Sequence, residues 1–342
     1  MIKRYSSAFR QSRPSIIVSL GRTALGAFLL TAGITATLPI TAAHAQESVF
    51  EGRDKWLFPG WEKVDGVDKA AVDGVLDLIS FTNKVLAEKK TSLVVTVVPA
   101  KAIVHQDKLP ADRSLSSDVL GLYDDIQKGL AARDVTSADI LPAMKTLPTD
   151  QQAFFRSDFH WTAWASEAAA ANVAELIKSK WQLAGKAGDG AKLGDWTKER
   201  RFGDLAANFM TPAQRNAVGR EVFTVRGEAT KAKGGLIDDA TAPVHVVGNS
   251  FTAPYLGFSQ ALSHALDRRV TLTWNPGDVG PWATLLQYLQ SDDFKQNPPQ
   301  VLVWQFNEGQ MQKGPAAQGQ WTSASIIAVD EWKNRIETAV KR

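Results

Sequence analysis

The 342 residues contain no cysteine, so no disulfide framework, zinc-thiolate site or cysteine nucleophile is available. Acidic residues are absent from the first 45 positions, which hold five cations: Lys3, Arg4, Arg10, Arg13 and Arg22. Taking those five from the 39 Lys and Arg leaves 34 against 36 Asp and Glu, a net of −2 in place of +3. With the leader set aside, the electrostatic argument for nucleic acid or an anionic membrane surface disappears. Beyond residue 45 no apolar run reaches the ~18 residues of a membrane span, and there is no internal repeat or low-complexity tract. What is present, 44% hydrophobic and 22% charged residues, is the composition of a folded globular protein.

The leader has the form of a signal peptide. Its basic stretch is followed by an apolar run from about Ala24 to Ile40 and then by Ala43-His44-Ala45, the small-x-small pattern of a cleavage site. Residues 1–45 are therefore expected to be removed, leaving Gln46 as the mature N-terminus outside the cytoplasm. The alternative is an uncleaved anchor over Ile17 to Leu38. Residues 46–342 are long enough for one large core without disulfides, with a possible insertion at 182–243.

Helical spacing of apolar residues predicts helices over Asp68–Lys90, Ser116–Arg133, Thr162–Lys180, Pro254–Leu266 and Pro281–Leu289. Short, nearly continuous β-branched runs predict buried strands over Leu93–Val98, Val244–Val247, Val270–Trp274 and Val301–Phe306. Strands alternating with helices imply an α/β fold, an α/β/α sandwich around a mostly parallel sheet. Gly185–Gly194 reads as a solvated loop.

Gly248-Asn249-Ser250-Phe251 follows one of these strands and precedes the helix expected near Pro254. Ser250 is thus placed at the carboxyl end of the sheet, where open α/β folds bind ligands. A helix N-terminus there would favour an oxyanion on an attacked acyl carbon. The motif is not G-x-S-x-G, because Thr252 replaces the last glycine, and a serine in this place also suits a helix cap. Asp158-Phe159-His160-Trp161 supplies what a serine nucleophile needs, a base and a carboxylate to orient it. Two residues apart in extended backbone, Asp158 and His160 share one side of the chain; Asp158 as the cap of the following helix is the competing reading. Among the other histidines after the leader, His105, His245 and His264, none pairs at i, i+4 with a second histidine to suggest a metal. His245 reads as a core residue and His264 as helix surface.

Taken together these blocks resemble the SGNH-hydrolase-like alginate O-acetyltransferase family of the AlgJ/AlgX type. The resemblance rests on Lys55-Trp56-Leu57-Phe58, Val98-Pro99-Ala100-Lys101-Ala102 with Leu109-Pro110, Ser157-Asp158-Phe159-His160-Trp161-Thr162, and Val247-Gly248-Asn249-Ser250-Phe251. The Asp and His precede the Ser, as in that family and in the reverse of most SGNH esterases. The resemblance implies Ser250 as nucleophile, His160 as general acid and base, and Asp158 as its orienter. Ser250 N–H is a reasonable oxyanion donor, and the loop Asn275-Pro276-Gly277-Asp278 is a candidate for the second, through Gly277. Tyr255 is a candidate substrate contact, with a core tyrosine as the alternative, and Lys101, placed past a strand end, a candidate for a polymer carboxylate, with a solvated lysine as the alternative.

The implied activity is acetylation of exopolysaccharide hydroxyls through an acyl-serine, with no cofactor. The implied partners are the polysaccharide acceptor, a membrane-bound O-acyltransferase that delivers the acetyl donor, and an exopolysaccharide biosynthesis complex. An esterase with the same triad and a non-catalytic polysaccharide-binding subunit remain open on the sequence.

Overall fold

The computed structural model describes residues 48–62, 64–229 and 242–341. The leader, the expected cleavage point before Gln46 and part of 182–243 lie outside the described residues. Strands β3 (Ser92–Val98), β4 (Thr136–Ala138), β7 (Val244–Gly248), β8 (Val270–Trp274) and β9 (Val301–Asn307) form one sheet in the order β4-β3-β9-β7-β8. Every pairing in it is parallel. Two antiparallel pairs lie apart from it, β1 (Val49–Glu51) with β2 (Leu57–Pro59) and β5 (Thr197–Arg201) with β6 (Glu221–Val225).

Helices α1 (Lys69–Ala87), α2 (Lys101–Val104), α3 (Ser117–Ala131), α4 (Leu141–Lys145), α5 (Ala163–Lys180), α6 (Asp204–Phe209), α7 (Pro212–Val218), α8 (Phe258–Leu266), α9 (Gly280–Leu289), α10 (Asp292–Gln296) and α11 (Val329–Lys341) complete the described elements. The two-residue period of the strands divides the core. Val95, Val97, Leu302 and Trp304 pack with α1, α3, α9 and α11 on one face. Val94, Val98, Val244, Val246 and Val303 pack with α5 and α8 on the other. Both faces of the sheet are covered, which is why its central strands β3 and β9 read as nearly unbroken apolar runs.

The residues expected to open three helices are their caps. Side chains of Asp68, Ser116 and Thr162 accept hydrogen bonds from the N–H groups of Ala71, Val119 and Ala165, satisfying donors that a helix start leaves open. One expectation is corrected. The helix foreseen from Pro254 begins at Phe258, because Gly257 adopts φ 82° after a single 3-10 turn at Pro254–Leu256, a left-handed conformation that glycine adopts without strain. Sequence periodicity also missed β1, β2 and β4, which are three residues each, and β5, whose residues are polar and mostly exposed. His245 is a core residue as expected, stacked on Tyr288 at 3.5 Å with its ring nitrogens 2.7 and 3.0 Å from the hydroxyls of Thr271 and Thr273.

Candidate active site

β7 ends at Gly248, where a Cβ would lie 2.5 Å from Thr252 Oγ1; the missing side chain makes room for the turn to fold back. Asn249 then fixes that turn. Its Oδ1 accepts from Phe251 N–H at 2.9 Å, and its Nδ2 donates to Asn307 at the end of β9 and to Gln310 in the 3-10 turn that follows. Ser250 opens a 3-10 turn, Ser250–Thr252, so the full helix N-terminus expected beside it is not there. No hydrogen bond among the described residues uses Ser250 N–H, which leaves it available as a donor.

Across from this turn, His160 Nε2 lies 2.8 Å from Ser250 Oγ and Nδ1 lies 2.7 Å from Asp158 Oδ1. The carboxylate fixes Nδ1 as the protonated nitrogen and leaves Nε2 as acceptor for the serine hydroxyl. Asp158 is not a helix cap, since Thr162 takes that role. Asp158 is almost fully buried; Oδ1 also accepts from His160 N–H at 2.9 Å and Oδ2 from Asp204 N–H at 2.9 Å. Burial opposes ionisation, but these hydrogen bonds and the imidazole outweigh it and hold Asp158 well below the usual carboxylate range. Trp161 Nε1 donates to Phe251 O at 2.9 Å and so binds the histidine segment to the serine turn.

Asp204 is the residue that sequence reasoning missed. It begins α6, and its Oδ2 lies 3.3 Å from His160 Nδ1 while Oδ1 accepts from Phe159 N–H at 2.6 Å. Burial and the neighbouring Asp158 charge push its carboxyl up. The chain reaches this position only because Gly203 packs on the Ser157 carbonyl, where a Cβ would come within 2.3 Å. The signal available in sequence was Phe202-Gly203-Asp204 alone, which nothing distinguishes from a loop. Burial acts against charge on His160, but Tyr255, Asp204 and Asp158 outweigh it and hold the imidazole well above its ordinary value. A tyrosine hydroxyl is uncharged near neutral pH, so the neighbouring acids carry this effect there.

Residues 49–308 match the family model described as ALGX, the SGNH hydrolase-like domain of acetyltransferase AlgX. The chain belongs to that family. It is 34% identical over 279 residues to the probable alginate O-acetylase AlgJ of Pseudomonas putida, covering 78% of this chain and 70% of that protein. The corresponding protein of Pseudomonas fluorescens is 32% identical over 277 residues, 78% of this chain and 68% of its own. The solved O-acetyltransferase domain of Pseudomonas putida AlgJ superposes with a TM-score of 0.71 at 28% identity, over 85% of this chain and 99% of that domain. The α/β/α sandwich is thus the SGNH-like fold of this family.

The other blocks of the family resemblance converge on the histidine segment. Lys101 is a correction: it is fully buried and unable to meet a polymer. Its ammonium donates to the carbonyls of Leu57, Phe155, Arg156 and Asp158 at 2.6, 2.7, 3.1 and 2.9 Å, and lies 5.1 Å from the Trp56 ring and 5.5 Å from the Phe58 ring. Burial lowers it to about 8, against the pull of Glu221, Asp158 and other acids. Glu221 holds the same segment from the other side, accepting from Arg156 N–H, Ser157 N–H and Ser157 Oγ–H at 2.8, 2.7 and 2.5 Å.

Space is open around Gly277, and its loop is joined to the end of β7, beside the Ser250 turn, by Asn275 N–H donating to Gly248 O at 3.3 Å. The same Asn275 reaches α9, its Nδ2 donating to Thr284 and Gln287. Tyr255 is placed at the site, 44% exposed, with its hydroxyl in electrostatic reach of His160. Asp158, His160 and Asp204 offer three donor atoms within 4.8 Å that would suit a cation by number, but the proton on His160 Nδ1 and the backbone N–H groups already occupy them.

Proposed function

We propose that this chain is a periplasmic O-acetyltransferase that acetylates hydroxyls of an alginate-type exopolysaccharide through acetyl-Ser250. The observation that carries the reading is His160 bridging Ser250 Oγ at 2.8 Å and Asp158 at 2.7 Å, the geometry of a general base on a serine nucleophile. Ser250 Oγ attacks the carbonyl carbon of the donor's acetyl group as its proton passes to His160 Nε2. The tetrahedral oxyanion is met by Ser250 N–H, which no hydrogen bond among the described residues uses. His160 then protonates the leaving group, and acetyl-Ser250 remains. In the second half His160 takes the proton of a sugar hydroxyl, which attacks the acyl carbon and releases Ser250.

Transfer, as opposed to hydrolysis, requires a sugar held against the acyl carbon. Supporting this, Trp61 and Phe209 are 41% and 48% exposed with their rings 5.2 Å apart. Trp61 also packs on Phe159 at 5.4 Å, whose ring is 5.8 Å from that of His160. Exposed aromatic faces of this kind suit pyranose rings. The acetyl group is proposed to arrive through a membrane-bound O-acyltransferase in a polysaccharide biosynthesis complex, and the leader to be removed before Gln46. N-terminal sequencing of the exported protein tests the processing, an intact Met1 form in the membrane fraction being the contrary result. Deleting the membrane acyltransferase should abolish glycan acetylation in cells; unchanged acetylation would remove it as donor. The reading as a whole is tested by incubating the protein with an activated acetyl ester and uronate oligosaccharides. Acetylated oligosaccharide is expected, and release of acetate alone would replace transferase by esterase.

A further inference from the structure

Arg201 ends β5, and its guanidinium carbon sits 3.8 Å from the Phe223 ring centroid and 5.6 Å from that of Tyr255. Phe223 is buried and packs on Phe155 at 4.0 Å, so the support beneath the guanidinium is part of the core. Two other arginines have carboxylates of their own, whereas Arg215 and Arg220, over Phe202, pair with none among the described residues. Arg226, over Trp196, makes two 2.6 Å bonds to Glu167, and Arg133 pairs with Asp73 and Asp77. Arg201 has none: among the described residues no hydrogen bond or ion pair takes up its N–H groups. The acid opposite it in the β5–β6 register is Glu221, and both oxygens of Glu221 are engaged by Arg156 and Ser157. A guanidinium held 3.8 Å over a core ring, with its donors open, is a pre-organised receptor for a planar anion.

Tyr255 links this receptor to the acylation centre. It follows the Ser250 turn, and its hydroxyl lies in the field of both His160 and Arg201. A ligand group on Arg201 would therefore belong to the molecule whose hydroxyl is being acylated. The acetyl group itself carries no charge, which directs the site to the acceptor.

We propose that Arg201 is a carboxylate-binding residue that reads the uronate carboxylate of the acceptor glycan and aligns that sugar beside Ser250. This rests on the transferase reading and adds to it a rule of acceptor choice: glycans with a carboxylate on or next to the acetylated sugar are preferred over neutral ones of the same linkage.

The experiment compares an oligomannuronate with the same oligomer after chemical reduction of its carboxylates, for the unaltered protein, Arg201→Gln and Arg201→Lys. Binding is measured by calorimetric titration and transfer from an activated acetyl ester by glycan mass. A lost charge-assisted bidentate contact corresponds to about a tenfold effect or more. The unaltered protein should favour the uronate by about that factor in Kd and in KM, with the preference shrinking as salt is added. Arg201→Gln should collapse the preference, and Arg201→Lys should keep part of it. Equal use of both oligomers by the unaltered protein, or an undiminished preference in Arg201→Gln, overturns the proposal. Because the reduced oligomer probes the unaltered protein, a folding defect in a variant does not decide the result. Uronate-selective binding that depends on Arg201 without any acetylation would overturn the transferase reading and leave the carboxylate site standing. Acetylation indifferent to the carboxylate would do the reverse.

Discussion

His160 presents the same ring nitrogen to a second acid: Asp204 Oδ2 lies 3.3 Å from Nδ1, beside the 2.7 Å contact to Asp158. The two carboxylates are not equivalent. Asp158 collects three hydrogen bonds and stays ionised, while Asp204 is pushed up by burial and by the Asp158 charge. Asp204 touches His160 and no reacting atom of Ser250, so any effect it has on catalysis is expected to pass through His160. Negative charge at Nδ1 favours the imidazolium, so the acid limb of activity should lie above the ordinary histidine value of about 6.5. Removing charge in Asp204→Asn makes the imidazolium less stable, lowers the His160 pKa and moves that limb to lower pH. A pH profile of kcat/KM checks the sign; a limb that stays in place would restrict Asp204 to holding Phe159 N–H.

Ser250→Ala and His160→Ala should each reduce acetyl transfer by about a thousandfold or more, and the double variant should be little worse, since members of such a triad act as one unit. Asp158→Ala should cost somewhat less. Circular dichroism separates these effects from misfolding. Activity of Ser250→Ala near that of the unaltered protein would exclude an acyl-serine.

Lys101→Met keeps the volume of the side chain but leaves the carbonyls of Leu57, Phe155, Arg156 and Asp158 without their common donor. A loss of about 3 kcal/mol or more in unfolding free energy is expected, together with a fall in kcat that exceeds any change in KM, because the residue orients the histidine segment without reaching substrate. Denaturant titration and steady-state kinetics read the two effects.

Glu308, buried at the end of β9, accepts from Ala100 N–H at 2.7 Å and is raised to about 7 by burial. Its folded-state pKa is above its unfolded value of 4.5. It therefore contributes stability that is complete below about pH 4.5 and is lost as pH rises through about 7. Glu308→Gln, which mimics the protonated acid, should gain stability relative to the unaltered protein over that interval, by up to roughly 3 kcal/mol. Parallel unfolding curves at pH 5 and pH 8 test this, and an equal difference at both would contradict it.

The five-stranded sheet was largely legible because a parallel strand covered on both faces must be apolar throughout, as Leu93–Val98 and Val301–Phe306 are. The cap residues Asp68, Ser116 and Thr162 marked three helix starts to within one residue. Asp158, His160 and Ser250 were readable as a set because a serine, a histidine and a carboxylate make chemical sense together. Lys101 was misread because a lysine next to a strand end ordinarily reaches water; four carbonyls from distant segments bury it, and no local pattern announces them. Asp204 and Arg201 escaped notice for the same reason. They enter from β5 and α6, short polar elements whose positions are set by contacts with Ser157 and Phe223 and not by periodicity.

In the proposed reaction an acetyl group passes through Ser250 to a sugar. The most direct measurement is a pulse of activated acetyl ester followed by rapid quenching, proteolysis and mass spectrometry of the peptide containing Ser250, with and without uronate oligosaccharide in the chase. Acetyl is predicted on Ser250 after the pulse, and its disappearance in the chase should match the appearance of O-acetylated oligosaccharide. Acetyl found on no serine, or lost from Ser250 as free acetate at the same rate whether or not oligosaccharide is present, would contradict it.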